Sequence, residues 1–227
     1  MTNRFSIAID GPGGAGKSSA AKEVAARLNA VYLDTGAMYR AVGLYMTRHD
    51  IDIHNAERVA CAAADAMVDI RYIEGNQRVF LCGDDVTDKL RKPEISAAAS
   101  AVSAVSAVRK RLVAAQREIA EQQNVVMDGR DTGTKVLPNA TIKIFLTADV
   151  KERARRRYEE LRAMSVTFER VLSDLIERDH NDSTRADSPL MKAEDAVEID
   201  TTNLSGEEVV EAILALVREK CGDWLYA

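Results

Sequence analysis

Gly11-Pro12-Gly13-Gly14-Ala15-Gly16-Lys17-Ser18 decides the fold of this chain, because it matches the pattern G-x-x-x-x-G-K-S/T at every fixed position. The apolar run Phe5–Ile9 in front of it predicts a short β-strand, and the apolar spacing that follows Lys17 predicts a helix. Glycines allow the main chain to fold around an anion with several N–H groups pointing inward. The stretch therefore predicts a phosphate-binding loop in preference to a glycine-rich turn without a ligand.

Two side chains of this loop have specific chemical tasks. Lys17 is expected to reach the outer phosphates of a nucleoside triphosphate, and the Ser18 hydroxyl is expected to bind Mg²⁺. The predicted triphosphate-binding residues are Gly11, Pro12, Gly13, Gly14, Ala15, Gly16, Lys17, Ser18 and Ser19. The loop leaves the second substrate open, because it specifies only the nucleotide that it holds.

The rest of the chain alternates short apolar runs with helical segments, which predicts a three-layer α/β fold with a parallel sheet. The further strands are predicted at Val31–Leu33, Val125–Met127, Thr141–Leu146 and Val197–Asp200. The further helices are predicted at Met38–Met46, Ser96–Ala120, Lys151–Arg162, Thr167–Asp179 and Glu207–Lys220. Val68–Tyr72 and Val79–Leu81 flank turn-forming residues, so they predict a small antiparallel hairpin inserted into the parallel pattern.

Length and composition exclude several classes of protein. The 227 residues suit one domain, or one domain with an insertion, and 36 acidic against 31 basic side chains oppose binding to nucleic acid or to an anionic membrane. Only ten residues precede the loop, and no run of about 18 apolar residues occurs, so we expect a cytoplasmic protein. The three cysteines lie far apart, which predicts reduced, buried thiols. Trp224 and Tyr226 are expected to dock the last helix.

Arginines near strand ends and in connecting segments indicate which second substrate the phosphate-binding loop serves. A regulatory GTPase would carry the strings N-K-x-D and D-x-x-G, and neither occurs after Ser18. Phosphoryl transfer between two nucleotides brings many negative charges together, and guanidinium groups can clamp and neutralise them. Most arginines are solvated surface charges, but Arg130 directly follows an apolar strand and is a stronger candidate.

Three further strings carry a resemblance to a known family. They are Leu33-Asp34-Thr35-Gly36-Ala37-Met38-Tyr39-Arg40, Asp128-Gly129-Arg130-Asp131-Thr132-Gly133-Thr134 and Glu177-Arg178-Asp179-x-x-Asp182-x-x-Arg185. Together with Ile9-Asp10-Gly11-Pro12 they make the whole chain resemble bacterial cytidylate kinases, nucleoside monophosphate kinases that transfer the γ-phosphate of ATP to CMP or dCMP. The resemblance implies Mg²⁺ as cofactor and a monomer.

The resemblance also implies an organisation for the chain. One kinase unit, 1–227, is expected to have a core like that of P-loop nucleoside triphosphate hydrolases, formed by 1–62 and 110–227. A monophosphate-binding insertion is expected at 63–109 and a short helical lid at 149–166.

Residue by residue, the resemblance implies roles in binding CMP and in catalysis. The CMP phosphate is assigned to Thr35, Arg40, Arg130 and Arg185, the sugar to Arg178 and Asp182, and cytosine to Ser100, Arg109 and Asp131. The catalytic residues implied are Lys17, Arg130, Arg185 and the lid arginines Arg153 and Arg157.

Alternatives remain at this point. Ser100 could be an ordinary helix serine, and the basic lid segment could be a solvated helix with Glu–Arg pairs. The enzyme could phosphorylate another small acceptor, such as UMP or a metabolite hydroxyl. The chain could also be a switch that hydrolyses ATP or GTP slowly to control a partner.

Overall fold

A five-stranded sheet forms the centre of the larger part of the chain, in a computed structural model that describes residues 4–162 and 166–222. Its strand order is β2-β6-β1-β7-β8, and a separate three-stranded sheet has the order β3-β4-β5. The strands are β1 Ser6–Asp10, β2 Val31–Asp34, β3 Val68–Ile73, β4 Asn76–Leu81, β5 Asp84–Asp85, β6 Val125–Gly129, β7 Ile142–Thr147 and β8 Val197–Asp200. The pairs β1–β6, β1–β7 and β7–β8 are parallel.

Eight α-helices connect and cover these strands in the described residues. They are α1 Lys17–Arg27, α2 Thr35–Arg48, α3 Ala56–Ala62, α4 Pro93–Ser103, α5 Ser106–Gln122, α6 Val150–Leu161, α7 Phe168–Thr184 and α8 Gly206–Cys221. A short 3₁₀ turn covers Thr87–Lys89, and a π-helical turn covers Thr132–Val136. The predicted α/β fold class is confirmed.

The chain divides into two compact units. The phosphate-loop unit comprises Met1–Tyr32 and Gln123–Ala227, and the hairpin unit comprises Leu33–Gln122. The hairpin unit is longer than the segment 63–109, to which the sequence assigned monophosphate binding. That assignment concerns function and stays a prediction.

The core of the phosphate-loop unit surrounds its central strands, and the carboxyl ends of these strands lie at one edge of the sheet. Ile7, Ile9 and Ile144 are fully buried, with Val24 of α1 and Ile213 of α8 in the same apolar cluster. Because β1 and β6 are parallel and in register, their carboxyl ends meet at one edge of the sheet. Loops that follow such strand ends are where open α/β sheets bind their ligands.

The hairpin unit contains the predicted antiparallel hairpin and one strand that the sequence did not reveal. β3 pairs with β4 from Val68 opposite Leu81 to Ile73 opposite Asn76, and β4 also pairs with β5. β5 has only two residues, too few to show a periodic pattern. The helix Ala56–Ala62 was also missed; Asn55 begins it as N-cap, accepting a hydrogen bond from the Arg58 amide.

The helix predicted over Ser96–Ala120 is in fact two helices. α4 ends at Ser103 and α5 begins at Ser106, and i→i−3 hydrogen bonds from the Ala104 and Val105 amides tighten the end of α4. The Ser-Ala-Val run contains neither glycine nor proline, so its sequence does not mark the break. α2 and α4 pack closely, because a Cβ on Gly43 of α2 would lie 3.0 Å from the Ala98 Cβ atom.

Two further expectations have different outcomes. Burial of the thiols was wrong: Cys61 and Cys82 are exposed, and Cys221 is half-buried. All three are free, as predicted. The expectation for Trp224 and Tyr226 lies outside the described residues. Within residues 4–162 and 166–222, no helix combines the length and apolar character needed to cross a bilayer.

Candidate active site

The glycine-rich loop joins β1 to α1, and two of its positions require glycine. Gly11 has φ 145°, and a Cβ there would lie 2.0 Å from the Leu146 carbonyl oxygen. Gly16 is left-handed, with φ 85°, immediately before α1 begins at Lys17. The backbone geometry of a phosphate-binding loop is therefore present where the sequence predicted it.

Lys17 is buried at the start of α1, and its Nζ atom donates a hydrogen bond to the Pro12 carbonyl at 2.6 Å. Burial lowers the pKa of Lys17 well below its ordinary value, and the positive charge of Arg130 lowers it further. An anion bound in the loop would favour the charged ammonium and oppose both effects. The predicted role of Lys17 at the outer phosphates stays a prediction.

Ser18 and Asp128 form a pair of oxygen ligands that fits Mg²⁺. The Ser18 hydroxyl donates to Asp128 Oδ2 at 2.7 Å, and the Tyr32 hydroxyl donates to Asp128 Oδ1 at 2.9 Å. Among the described residues no group of three or more His, Cys, Asp and Glu side chains could hold a metal ion. One carboxylate and one hydroxyl suit Mg²⁺, which usually completes its coordination with water and substrate phosphates.

Asp10 at the end of β1 fixes the turn that follows β6. Its two carboxylate oxygens accept hydrogen bonds from the amides of Thr132 at 2.8 Å and Gly133 at 2.6 Å. Burial raises the pKa of Asp10, although both amide hydrogen bonds act in the opposite direction. The contact holds the π-helical turn in place and so sets where Arg130 and Asp131 leave the sheet.

Asp182 of α7 is the centre of an arginine cluster. Its carboxylate accepts a hydrogen bond from Arg130 Nε at 3.0 Å and lies 3.9 Å from Arg178 Nε and 3.7 Å from Arg185 Nη1. Burial would raise the pKa of Asp182, but the three guanidinium groups hold it below its ordinary value. Arg185 also pairs with Asp131 at 3.2 Å. The structure therefore brings together the five predicted CMP-binding residues of this unit.

The arginine cluster lies beside the phosphate loop. A Cβ built on Gly13 would be 3.8 Å from Arg130 Nη2, and the charges of Arg130 and Arg178 both act on Lys17. Burial would lower the pKa of Arg130, but the neighbouring Asp182 carboxylate raises it above its ordinary value. Loop and cluster thus form one region of concentrated positive charge.

The two predicted lid arginines have different surroundings. Arg153 is buried: its Nε donates to the Ala148 carbonyl, and its Nη1 contacts the Gly13 carbonyl at 3.0 Å and Asp179 at 2.6 Å. Arg157 is about one-third exposed and pairs with Glu160 at 2.6 Å. Residues 163–165 of the predicted lid lie outside the described residues. The catalytic role of both arginines stays a prediction.

In the hairpin unit, the first two turns of α2 carry Thr35 and Arg40. Asp34 begins the helix as N-cap: its carboxylate accepts a hydrogen bond from the Ala37 amide at 2.9 Å. The same carboxylate pairs with Arg40 Nη2 at 2.5 Å. Thr35 is buried next to this cap. One carboxylate therefore both starts the helix and orients Arg40.

Ser100 and Arg109 are linked through Ser103 near the junction of α4 and α5. Arg109 is buried and donates through Nη1 to the Ser103 carbonyl at 3.1 Å, with its guanidinium carbon 5.4 Å from the centre of the Tyr39 ring. The Ser103 hydroxyl in turn donates to the Ser100 carbonyl at 2.8 Å. The break between the two helices thus places Arg109 next to the end of α4.

Comparison with known proteins identifies the family. The family model described as cytidylate kinase matches residues 7–219. A cytidylate kinase of Caldicellulosiruptor bescii is 49% identical over 215 residues, which cover 94% of this chain and 95% of that protein. A cytidylate kinase of Geobacillus kaustophilus is 49% identical over 224 residues, which cover 98% and 100%. The chain belongs to the cytidylate kinase family.

A solved structure is consistent with the fold of this cytidylate kinase family member. An uncharacterized protein from Eubacterium ventriosum aligns with a TM-score of 0.54 and 15% identity over 96% of this chain and 99% of that chain. At this identity the likeness concerns the fold alone. The resemblance predicted from the sequence strings is confirmed by the family match.

Sequence reasoning missed one residue of the site in this family member. Asp128 was quoted within a motif but given no task, although it shares a hydrogen bond with the predicted metal ligand Ser18. A carboxylate that directly follows an apolar strand in a protein with a phosphate loop is a typical Mg²⁺ partner. That signal, Val125–Met127 followed by Asp128, was present in the sequence.

Proposed function

We propose that this chain transfers the γ-phosphate of ATP to CMP or dCMP, which yields ADP and CDP or dCDP. As a member of the cytidylate kinase family, it is an ATP-dependent nucleoside monophosphate kinase. The observation that carries the proposal is the position of the Asp182-centred arginine cluster beside the phosphate loop. A nucleoside triphosphate loop alone would not need these additional cations.

The loop residues Gly11–Ser19 hold the ATP phosphates through main-chain N–H groups, with Lys17 directed at the outer phosphates. Ser18 and Asp128 would hold Mg²⁺ through their oxygen atoms. The ion would neutralise part of the negative charge of the ATP phosphates. Tyr32 and Ser18 orient the Asp128 carboxylate from its two oxygens.

Transfer needs no covalent enzyme intermediate. An oxygen of the CMP phosphate attacks the γ-phosphorus of ATP, a new P–O bond forms, and the bond to the β-phosphate oxygen breaks as ADP leaves. Lys17, Arg130 and Arg185 stabilise the negative charge that spreads over the transferring group. Asp182 holds two of these cations in position before substrate arrives.

The acceptor assignments follow the resemblance to cytidylate kinases. Thr35, Arg40, Arg130 and Arg185 bind its phosphate, and Arg178 and Asp182 bind its sugar. Cytosine presents acceptors at O2 and N3 and a donor at N4, which Ser100, Arg109 and Asp131 can match. Asp131 discriminates against uracil, because two facing acceptors repel each other.

The remaining expectations belong to the same proposal. Arg153 and Arg157 act from the lid on the transferring phosphate, and closure excludes water from the reaction. Cytoplasmic location, a monomeric state and the absence of nucleic acid and membrane partners stay predictions.

A panel of acceptors tests the function. ADP release is measured with ATP and CMP, dCMP, UMP or no acceptor, and we expect CMP and dCMP to give the highest kcat/KM. Asp131→Asn should reduce the preference for CMP over UMP about tenfold while the KM for ATP is unchanged. Asp174→Asn, an exposed position on α7, is the control.

Two outcomes would contradict the proposal. Equal turnover with and without a monophosphate would favour a nucleotide-hydrolysing switch. A preference for UMP or for a metabolite hydroxyl would favour a kinase for another acceptor. An unchanged preference in Asp131→Asn would reject only that residue as the reader of the base.

A further inference from the structure

Gln77 on β4 pairs with both backbone groups of Asp34. Its Oε1 accepts a hydrogen bond from the Asp34 amide at 2.7 Å, and its Nε2 donates to the Asp34 carbonyl at 3.3 Å. Gln77 and Asp34 are 43 positions apart in the chain, and both belong to the hairpin unit. A side-chain amide here does what a neighbouring strand would do for the last residue of β2.

Asp34 supports the start of α2, which carries the proposed phosphate-binding residues Thr35 and Arg40. Its carboxylate caps α2 through the Ala37 amide and pairs with Arg40, while Thr35 follows it directly. Movement of the Asp34 backbone would move the cap and the guanidinium together. A contact that holds this backbone therefore acts on both acceptor residues without touching the acceptor.

The hairpin provides Gln77 with a firm support. Gln77 lies opposite Tyr72 in the β3–β4 ladder and is half-buried, two residues before the fully buried Val79. The Val79 amide donates to the Thr87 hydroxyl at 2.8 Å. The side-chain amide of Gln77 thus extends from a strand that is held on both sides.

We propose that Gln77 is a positioning residue that couples the antiparallel hairpin to the start of α2, Asp34–Arg40, which carries the proposed residues for the acceptor phosphate. The inserted sheet then has a defined task in CMP binding: it presets Thr35 and Arg40 in the orientation that the phosphate requires. The proposal rests on the proposed function, which assigns Thr35 and Arg40 to that phosphate. Preorganisation of this kind strengthens binding because less conformational freedom is lost when the ligand arrives.

The main test is Gln77→Leu, which keeps a similar side-chain size and removes both hydrogen bonds. The Kd of CMP, measured by titration calorimetry without ATP, should rise roughly threefold to tenfold, the effect of about one net hydrogen bond. The KM for ATP and the kcat at saturating CMP should stay within about twofold of the unaltered enzyme. Hydrogen exchange of the Asp34 amide should become faster.

Two further variants make the test specific. Asn76→Leu removes an exposed amide from the adjacent position of the same hairpin and should leave CMP affinity and Asp34 exchange unchanged. Gln77→Glu keeps the acceptor for the Asp34 amide but replaces the donor by an oxygen that repels the Asp34 carbonyl. Gln77→Glu should also raise the Kd of CMP, so it tests the proposal even if Gln77→Leu folds poorly.

Arg40→Ala separates the failure of this proposal from the failure of the proposed function. If Arg40→Ala does not change the Kd of CMP, the assignment of the acceptor phosphate is wrong. If Arg40→Ala weakens CMP binding while both Gln77 variants bind CMP normally, the role of Gln77 is overturned. If the Gln77 variants lose CMP affinity and ATP affinity by the same factor and also melt at a lower temperature, Gln77 is a purely structural residue. That result would also overturn the proposed role.

Discussion

The two units of this protein hold their functional arginines in different ways. In the phosphate-loop unit, the buried carboxylate of Asp182 faces three guanidinium groups, and Arg130 and Arg178 also act on Lys17. In the hairpin unit, Arg40 is paired with Asp34, and the two side chains are 22% and 24% exposed. The first arrangement crowds three arginines around one buried carboxylate, whereas the second is a single half-buried pair.

The difference shows what each unit needs from its charges. In the phosphate-loop unit, burial lowers the pKa of Lys17 and the charge of Arg130 lowers it further, while the neighbouring arginines hold the pKa of Asp182 down against burial. Such a cluster is costly without an anion and favourable with one. In the hairpin unit the orientation of Arg40 depends on a helix cap and on a backbone contact. Replacing a charged residue should therefore change activity or the free energy of unfolding strongly in the phosphate-loop unit. It should change the free energy of unfolding only slightly in the hairpin unit.

The largest expected effect comes from Lys17→Met. The variant removes a cation from the phosphates, so kcat should fall about 100-fold or more. It also removes a buried ammonium, so the free energy of unfolding at pH 7 should rise by about 1 kcal/mol. Activity is measured by ADP release and stability by urea unfolding.

The pH dependence follows from the lowered pKa of Lys17. Between the folded pKa and the unfolded value of 10.5, the unfolded chain binds the extra proton, so stability from this group rises with pH. Lys17→Met should lose that rise. If Lys17→Met is less stable than the unaltered protein at every pH, the buried ammonium of Lys17 does not destabilise the fold. The contrast between the two units would then weaken.

The second effect in size is Asp182→Asn, which leaves three guanidinium groups without their shared carboxylate. The free energy of unfolding at pH 7 should fall by about 3 kcal/mol, as when one partner of a buried ion pair is removed. Because the folded pKa of Asp182 lies below 3.8, its contribution is present above that value and is lost as pH falls through the folded pKa. Denaturant unfolding at several pH values measures both effects.

A control on the same helix calibrates this result. Asp174 pairs with Arg170 at 2.9 Å on the exposed face of α7, and Asp174→Asn should cost only about 0.5 kcal/mol. If Asp182→Asn costs no more than this control, the cluster is not held by its central carboxylate.

The smallest effect is expected for the matching change in the hairpin unit, Asp34→Asn. Asparagine caps helices about as well as aspartate, so only the half-buried pair with Arg40 is lost. The free energy of unfolding should fall by less than about 1 kcal/mol. A loss as large as that of Asp182→Asn would remove the proposed difference between the two units.

The elements that sequence analysis predicted well are those with local signals. The strand–loop–helix around Lys17 and the hairpin turn depend on residues within a few positions of one another. The break at Ala104–Val105 was missed, because nothing in the Ser-Ala-Val run marks it. The cysteines were expected to be buried from their number and spacing, although their exposure depends on which face of a helix or turn they occupy.

The sequence by itself determined the phosphate loop, the α/β alternation and the family, because each is written in short-range patterns or in motif strings. Only the tertiary structure decided which charges meet. Asp182 reaches Arg130 across 52 positions, Gln77 reaches Asp34 across 43, and Ser18 reaches Asp128 across 110. Such contacts depend on strand order, register and burial, which arise from packing of the whole chain and leave no local pattern.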